Sequence, residues 1–273
     1  MTVTKIDDAD DVRIADYRNV SDPQLIARRS LFCAEGRLVV ERLLASRRFK
    51  TRSVLVTGTA LDSIKAALAT HHDLPVFVVD QHILNAITGF NIHRGCLAMG
   101  ERRPHGDWRT VVTGAESLVI LERVGNADNV GSIFRNAAAF GVDAVLLGPA
   151  CADPLYRKAI RTSMGAALAV PFAQADSWPE PLLELRKDAW AVVALTPCAR
   201  SAVRDVAAAI GGSRTAIVVG HEGEGLTPET LAACDHHARI PMAEGVDSLN
   251  AATAAAVALY EFRGAALHAP PES

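Results

Sequence analysis

No apolar run in this 273-residue sequence reaches the roughly 18 residues that a membrane-crossing helix needs. The N-terminal segment carries Asp7, Asp8, Asp10 and Asp11 where a signal peptide would have an apolar core. Export is therefore not expected, and the cytoplasm is the expected compartment. The five cysteines (Cys33, Cys96, Cys151, Cys198, Cys234) are scattered, odd in number and form no C-x-x-C pair. They read as reduced packing thiols. Cys234-Asp-His236-His237 has no second ligand pair at zinc spacing, so no metal site is expected. There is no internal repeat, and a net charge of −3 does not mark a nucleic-acid binder. An average of that kind can still hide a local basic patch.

What is present fits a soluble α/β protein of two domains. Residues 1–20 are acidic and without apolar periodicity, which predicts a mobile tail or a loosely docked arm. Residues 21–104 alternate helices (24–29, 36–45, 61–69, 81–86) with short strands (53–56, 76–79, 95–99), a small α/β domain. The stretch 101–116 is polar and holds Pro104, Gly106 and Gly114. It is the linker candidate, taken as 105–116. Residues 117–273 alternate again, with strands at 118–121, 144–147, near Leu168, 190–195 and 215–219. The helices between them fall at 133–140, 157–161, 179–186 and 203–209. This predicts a largely parallel sheet flanked by helices.

Charge is uneven in the front domain. Between residues 28 and 52 stand Arg28, Arg29, Arg37, Arg42, Arg47, Arg48, Lys50 and Arg52 against only Glu35 and Glu41. Such a run serves either as a solvated helix face or as a phosphate-contacting patch. In the second role it would position a substrate rather than specify it.

The chemistry concentrates late in the chain. The apolar run 216–219 opens into Gly220-His-Glu-Gly223-Glu-Gly225, and a second short strand, 238–240, is stopped by Pro241. A loop then carries Ser248-Leu-Asn250 into an alanine-rich helix, 251–259. Strand ends opening into glycine-rich loops are what a cofactor site on a parallel sheet needs. The glycine turn is neither G-x-G-x-x-G nor part of H-E-x-x-H. Upstream, Asn129 reads as a helix cap, Gly131 permits close approach, and Arg135 lies two turns into the helix that follows. Singly, each of these has an ordinary structural reading as a cap or a surface arginine.

Taken together, Asn129-x-Gly131-x-x-x-Arg135-x-Ala, Val218-Val-Gly-His-Glu-Gly-Glu-Gly-Leu226 and Ile240-Pro-Met, followed by Ser248-Leu-Asn250, resemble the SpoU-type (TrmH-like) branch of the SPOUT RNA methyltransferases. Lys158-Ala-Ile-Arg161-Thr-Ser163-Met-Gly165 is similar to that family as well. Phe32-Cys-Ala-Glu35-Gly36 is more weakly similar to its RNA-binding front domain. The resemblance implies methyl transfer from S-adenosylmethionine to a ribose 2′-hydroxyl in RNA. It also implies a deep trefoil knot in the C-terminal sheet and a homodimer packed through the knotted region. On motif match, Arg135, Asn129, Glu222, Ser248 and Asn250 are the expected catalytic set. Leu195, Thr196, Gly220, Glu222, Gly225, Ile240, Met242, Ser248 and Leu249 are expected around the cofactor. Arg28, Arg29, Arg37, Arg47, Arg48 and Arg161 are the expected RNA contacts. The separate basic domain favours ribosomal over transfer RNA as the target. A catalytically silent RNA-binding relative and a nucleotide-dependent α/β enzyme using residues 220–225 for phosphates remain the competing readings.

Overall fold

The computed structural model describes residues 2–18, 22–88, 95–104 and 106–267. The outermost parts of the expected tail and of the C-terminal domain (residues 1, 19, 20 and 268–273) lie outside them. The chain divides into one unit of Met1–Pro104 with Leu155–Ala169 and another of His105–Pro154 with Val170–Ser273. Among the described residues no helix is long and apolar enough to cross a membrane.

The first unit has five strands: β1 (Thr2–Lys5), β2 (Leu31–Glu35), β3 (Lys50–Val56), β4 (Pro75–Val78) and β5 (Cys96–Glu101). Helices α1 (Asp22–Arg29), α2 (Arg37–Leu44), α3 (Gly58–Leu68) and α4 (Gln81–Thr88) alternate with them. The sheet runs β1-β4-β3-β5-β2, parallel from β1 to β3 and antiparallel through β5 to β2. The described part of the N-terminal segment packs onto this sheet. Thr2–Lys5 pairs with Pro75–Val78 as an edge strand. Ile6, Ile14 and Tyr17 are buried in the same core as Leu55 and Leu97, and the Tyr17 hydroxyl is 2.8 Å from Ser53 Oγ. Three spaced apolar residues anchor a segment whose Asp10, Asp11 and Asp16 pair with Arg18, Arg13 and Arg29.

The second unit begins with α5 (Trp108–Val112), inside the expected linker. Asp107 accepts a hydrogen bond from Arg109 N (3.0 Å), and Trp108 is buried in the core. Trp108 and Ala115, with Val111 and Val112 packed beside them, thus dock the segment that its polarity marked as a spacer. There follow β6 (Ser117–Leu121), α6 (Ala127–Ala139) and β7 (Ala144–Leu147). The chain then enters the first unit with α7 (Arg157–Thr162). There Arg157 donates from N and Nε to the Asp22 carboxylate (3.0 Å each), and Arg42 donates to Met164 O at 2.6 Å. The strand expected near Leu168 is a 3-10 turn, Ala166–Leu168, entered through Gly165 at φ 84°. A left-handed residue at that point ends extended pairing. The strand itself, β8, is Phe172–Gln174.

Next come α8 (Glu180–Lys187), β9 (Ala191–Leu195), the two-residue β10 (Ser201–Ala202) and α9 (Val203–Ile210). The unit closes with β11 (Thr215–Val219), α10 (Pro228–Ala233), β12 (His236–Arg239) and α11 (Ala251–Leu267). The sheet is entirely parallel, in the order β10-β12-β9-β11-β6-β7-β8. Strands β6, β7 and β11 are buried along their whole length, as parallel strands covered on both faces must be.

Two outcomes follow. Ile14→Ala should lower the free energy of unfolding by about 2–5 kcal/mol in urea denaturation, the cost of deleting a fully buried side chain; a mobile tail would give no change. Burial raises the Cys33, Cys96 and Cys234 thiols to about 12 and Cys151 to about 11, whereas Cys198 is exposed. Alkylation of the native protein at pH 8, mapped by mass spectrometry, should therefore label Cys198 first.

Candidate active site

The C-terminal ends of β9, β11 and β12 open onto one cavity of about 210 Å³. Its floor is Leu195, Thr196, Val219 and Ala238, and its walls are the loops carrying His221–Gly225 and Ile240–Leu249, with Ala251 and Ala254 of α11. This is where open parallel sheets bind ligands. All nine residues expected around a cofactor (Leu195, Thr196, Gly220, Glu222, Gly225, Ile240, Met242, Ser248 and Leu249) line it. Pro197, His221, Gly223 and Asp247 line it too. A Cβ on Gly220 would stand 2.7 Å from Gly225 C and 2.8 Å from Gly225 O. Only glycine lets the loop fold back so closely on its own start.

Three of the five expected catalytic side chains form one hydrogen-bonded row. Asn250 Nδ2 donates to Asn129 Oδ1 at 2.9 Å, and Asn129 Nδ2 donates to Glu222 Oε1. Asn250 Oδ1 meanwhile accepts from the backbone N–H of Ala252 (2.9 Å) and Thr253 (3.3 Å), capping α11. Asn129 is not the cap of α6. That place belongs to Asn126, whose side chain accepts from Asp128 N at 2.8 Å. With the orphan amides of the first turn met there, Asn129 is free to join the row from inside the helix. Ser248 lines the cavity and makes no hydrogen bond among the described residues. Arg135 is exposed, lies off the cavity wall and forms no ion pair or hydrogen bond among the described residues.

Two participants were not read from the sequence. His221 Nδ1 accepts from Gly223 N (3.0 Å) and Glu224 N (3.1 Å), so Nδ1 carries no proton and the ring N–H lies on Nε2. Glu122, just beyond β6, is fully buried and gathers four hydrogen bonds from Trp178, Thr227 and Thr230. The signal for it was a charged residue ending the apolar run Leu118–Leu121. The ion pair between Arg123 and Glu224 also ties the loop after β6 to the glycine loop.

The expected RNA contacts all fall in the first unit, Arg161 included. Arg28, Arg47 and Arg161 are exposed, and their side chains make no hydrogen bond or ion pair among the described residues. Arg37 is 3.9 Å from Glu41, whereas Arg29 is engaged by Asp16 at 2.7 Å. Arg48 lies 5.2 Å from the Phe49 ring centroid, and burial lowers its guanidinium to about 10. Arg29 and Arg48 are thus the two least available for phosphate.

Residues 116–260 match the SpoU rRNA Methylase family. An uncharacterized tRNA/rRNA methyltransferase of Mycobacterium tuberculosis is 41% identical over 276 residues, covering 99% of this chain and 95% of the relative. The chain belongs to the SpoU rRNA methylase family. Among solved structures, the AdoMet-bound rRNA methyltransferase from Sinorhizobium meliloti superposes at a TM-score of 0.82, with 25% identity over 96% of this chain and 98% of that one. An RNA 2′-O ribose methyltransferase superposes at 0.79, with 25% identity over 97% and 100%. As a SpoU-family methyltransferase the chain keeps the family's α/β fold with its parallel sheet flanked by helices.

Asn250 has two jobs that one substitution separates. Asn250→Asp keeps an oxygen for the helix amides and removes the Nδ2 donor to Asn129. Its Tm should stay within a few degrees of wild type, while methyl-transfer turnover falls about 10- to 100-fold. Equal turnover in the two proteins would remove the row from the chemistry.

Proposed function

We propose that this SpoU-family member transfers a methyl group from S-adenosylmethionine to a ribose 2′-hydroxyl of RNA, ribosomal RNA in preference to transfer RNA. The observation that carries the reading is the wall of the cavity. Among the described residues it presents two carboxylate side chains, Glu222 and Asp247, and no lysine or arginine. A polyphosphate nucleotide would find repulsion there, whereas a donor with a sulfonium and an ammonium group finds complementary charge. Leu195, Ile240, Met242 and Leu249 offer apolar surface for an adenine, and the close-folded glycine loop offers backbone groups for its polar edge.

When bound, S-adenosylmethionine supplies an electrophilic methyl on a sulfonium that departs as a neutral thioether. The chain's own task is then to hold a poor nucleophile in line and to offset charge as the 2′-oxygen loses its proton. The row Asn250–Asn129–Glu222 fixes which end of each amide donates and so orients Glu222 as an acceptor at the mouth of the cavity. A guanidinium is too hard to deprotonate to serve as the base. Arg135, free and exposed, instead clamps the phosphate beside the target ribose and stabilises developing alkoxide charge. Its place off its own cavity wall favours action beside a partner's cavity. That agrees with a homodimer, as does Tyr260, 59% exposed on α11 beside the Phe140 ring. The trefoil knot belongs to the same reading, since the loops it would thread are those that meet at the cavity. Arg28, Arg37, Arg47 and Arg161 supply sequence-independent phosphate contacts in the first unit. The compartment this chemistry implies is the cytoplasm.

Calorimetry with S-adenosylmethionine tests the donor; absence of binding would leave an RNA-binding protein without catalysis. Arg135→Lys should cut turnover about a hundredfold with RNA affinity kept, and near-wild-type turnover would remove the guanidinium's role. Mapping 2′-O-methyl positions in cellular RNA with and without the gene distinguishes ribosomal from transfer RNA.

A further inference from the structure

The Glu122 carboxylate is fully buried, and among the described residues no cation pairs with it. Oε1 accepts from Thr227 Oγ1 (2.8 Å), Thr230 Oγ1 (2.6 Å) and Trp178 Nε1 (2.9 Å), and Oε2 accepts from Thr227 N at 2.9 Å. Every neighbour donates, which suits an acceptor-only group. The backbone N–H of Glu122 meanwhile donates to Val219 O at 2.9 Å, at the last residue before the glycine loop. One residue therefore holds both ends of that loop: its backbone fixes where the loop leaves β11, and its side chain fixes where it closes, at Thr227. Thr227 is in turn the N-cap of α10, with its Oγ1 accepting from Thr230 N. The Trp178 ring is pressed against Gly148 at the end of β7, where an added Cβ would stand 2.9 Å from the ring.

We propose that Glu122 is a positioning residue for the methyl-donor pocket, setting the shape of the wall Gly220–Gly225 through Thr227, Thr230 and Trp178. The inference rests on the donor reading above. It follows from the chain's need to hold a short, glycine-rich loop without metal or disulfide help among the described residues. Buried polar networks of this kind fix one geometry when every member is satisfied, and lose it when one is not. Replacing either oxygen by an amide NH₂ breaks this pattern: at Oε2 it faces the Thr227 N–H, and at Oε1 it faces the Trp178 Nε1–H and obliges the Thr227 and Thr230 hydroxyls to turn from donors into acceptors.

The test compares wild type, Glu122→Gln and Thr230→Val by calorimetry with S-adenosylmethionine and by steady-state methylation of RNA, well below each Tm. Glu122→Gln should raise the donor Kd and KM about tenfold, with KM for RNA within about twofold. Thr230→Val, which removes one of the four donors, should shift the donor Kd about threefold in the same direction. A folded Glu122→Gln protein with unchanged donor Kd, or one that loses only Tm or only kcat, overturns the proposal. If Glu122→Gln does not fold, an unchanged donor Kd in Thr230→Val overturns it. Lack of donor binding by the unmutated chain overturns the pocket reading itself, a result separable from any effect of Glu122.

Discussion

Three loops must be held around one cavity by hydrogen bonds, and the amide of Asn129 is where two of them are joined. It donates to Glu222 on the glycine loop and accepts from Asn250 at the start of α11. An amide is suited to this because it carries a donor and an acceptor on one rigid plane. A carboxylate in its place would repel Glu222, and a hydroxyl would be too short to span both. The arrangement works only because Asn126 has taken over the capping of α6. The site's geometry therefore begins with a cap three residues away that takes no part in the row.

Much of this was legible from residues. The fully apolar strands Leu118–Leu121, Ala144–Leu147 and Ala216–Val219 announce a buried parallel sheet. The glycine turn after Val219 and the break at Pro241 mark the loops that wall the cavity. What was not legible has a common physical cause: a few anchoring contacts override local polarity. The acidic stretch before Arg18 looks like a tail, yet Ile6, Ile14 and Tyr17 hold it in the core. The linker candidate is docked by Trp108 and Ala115, with Val111 and Val112 packed beside them. Of two nearby asparagines, Asn126 and Asn129, composition gives no means of telling which one caps. Glu122 escaped because a lone carboxylate after a strand gains meaning only once Thr227 and Trp178, remote in sequence, are beside it.

Charge divides the labour between the units. The cavity wall is anionic, and the free arginines that suit phosphate lie in the first unit. On the proposed reading, a small cationic donor and a large polyanionic acceptor would meet opposite fields on separate parts of one chain. Neutralisation within the first unit is selective as well. Asp16 occupies Arg29 and Arg52, which leaves Arg28, Arg47 and Arg161 to any incoming phosphate.

The excursion of Leu155–Ala169 into the first unit gives the chain three junctions between units, after Pro154 and Ala169 as well as after Pro104. The first unit is therefore built from two separate stretches of sequence, and α7 belongs to it although it follows β7 of the second. Ala159, Ile160, Ala167 and Leu168 of that later stretch are all buried. A module boundary drawn by sequence similarity, at residue 116, therefore falls inside the second unit and takes in a stretch of the first.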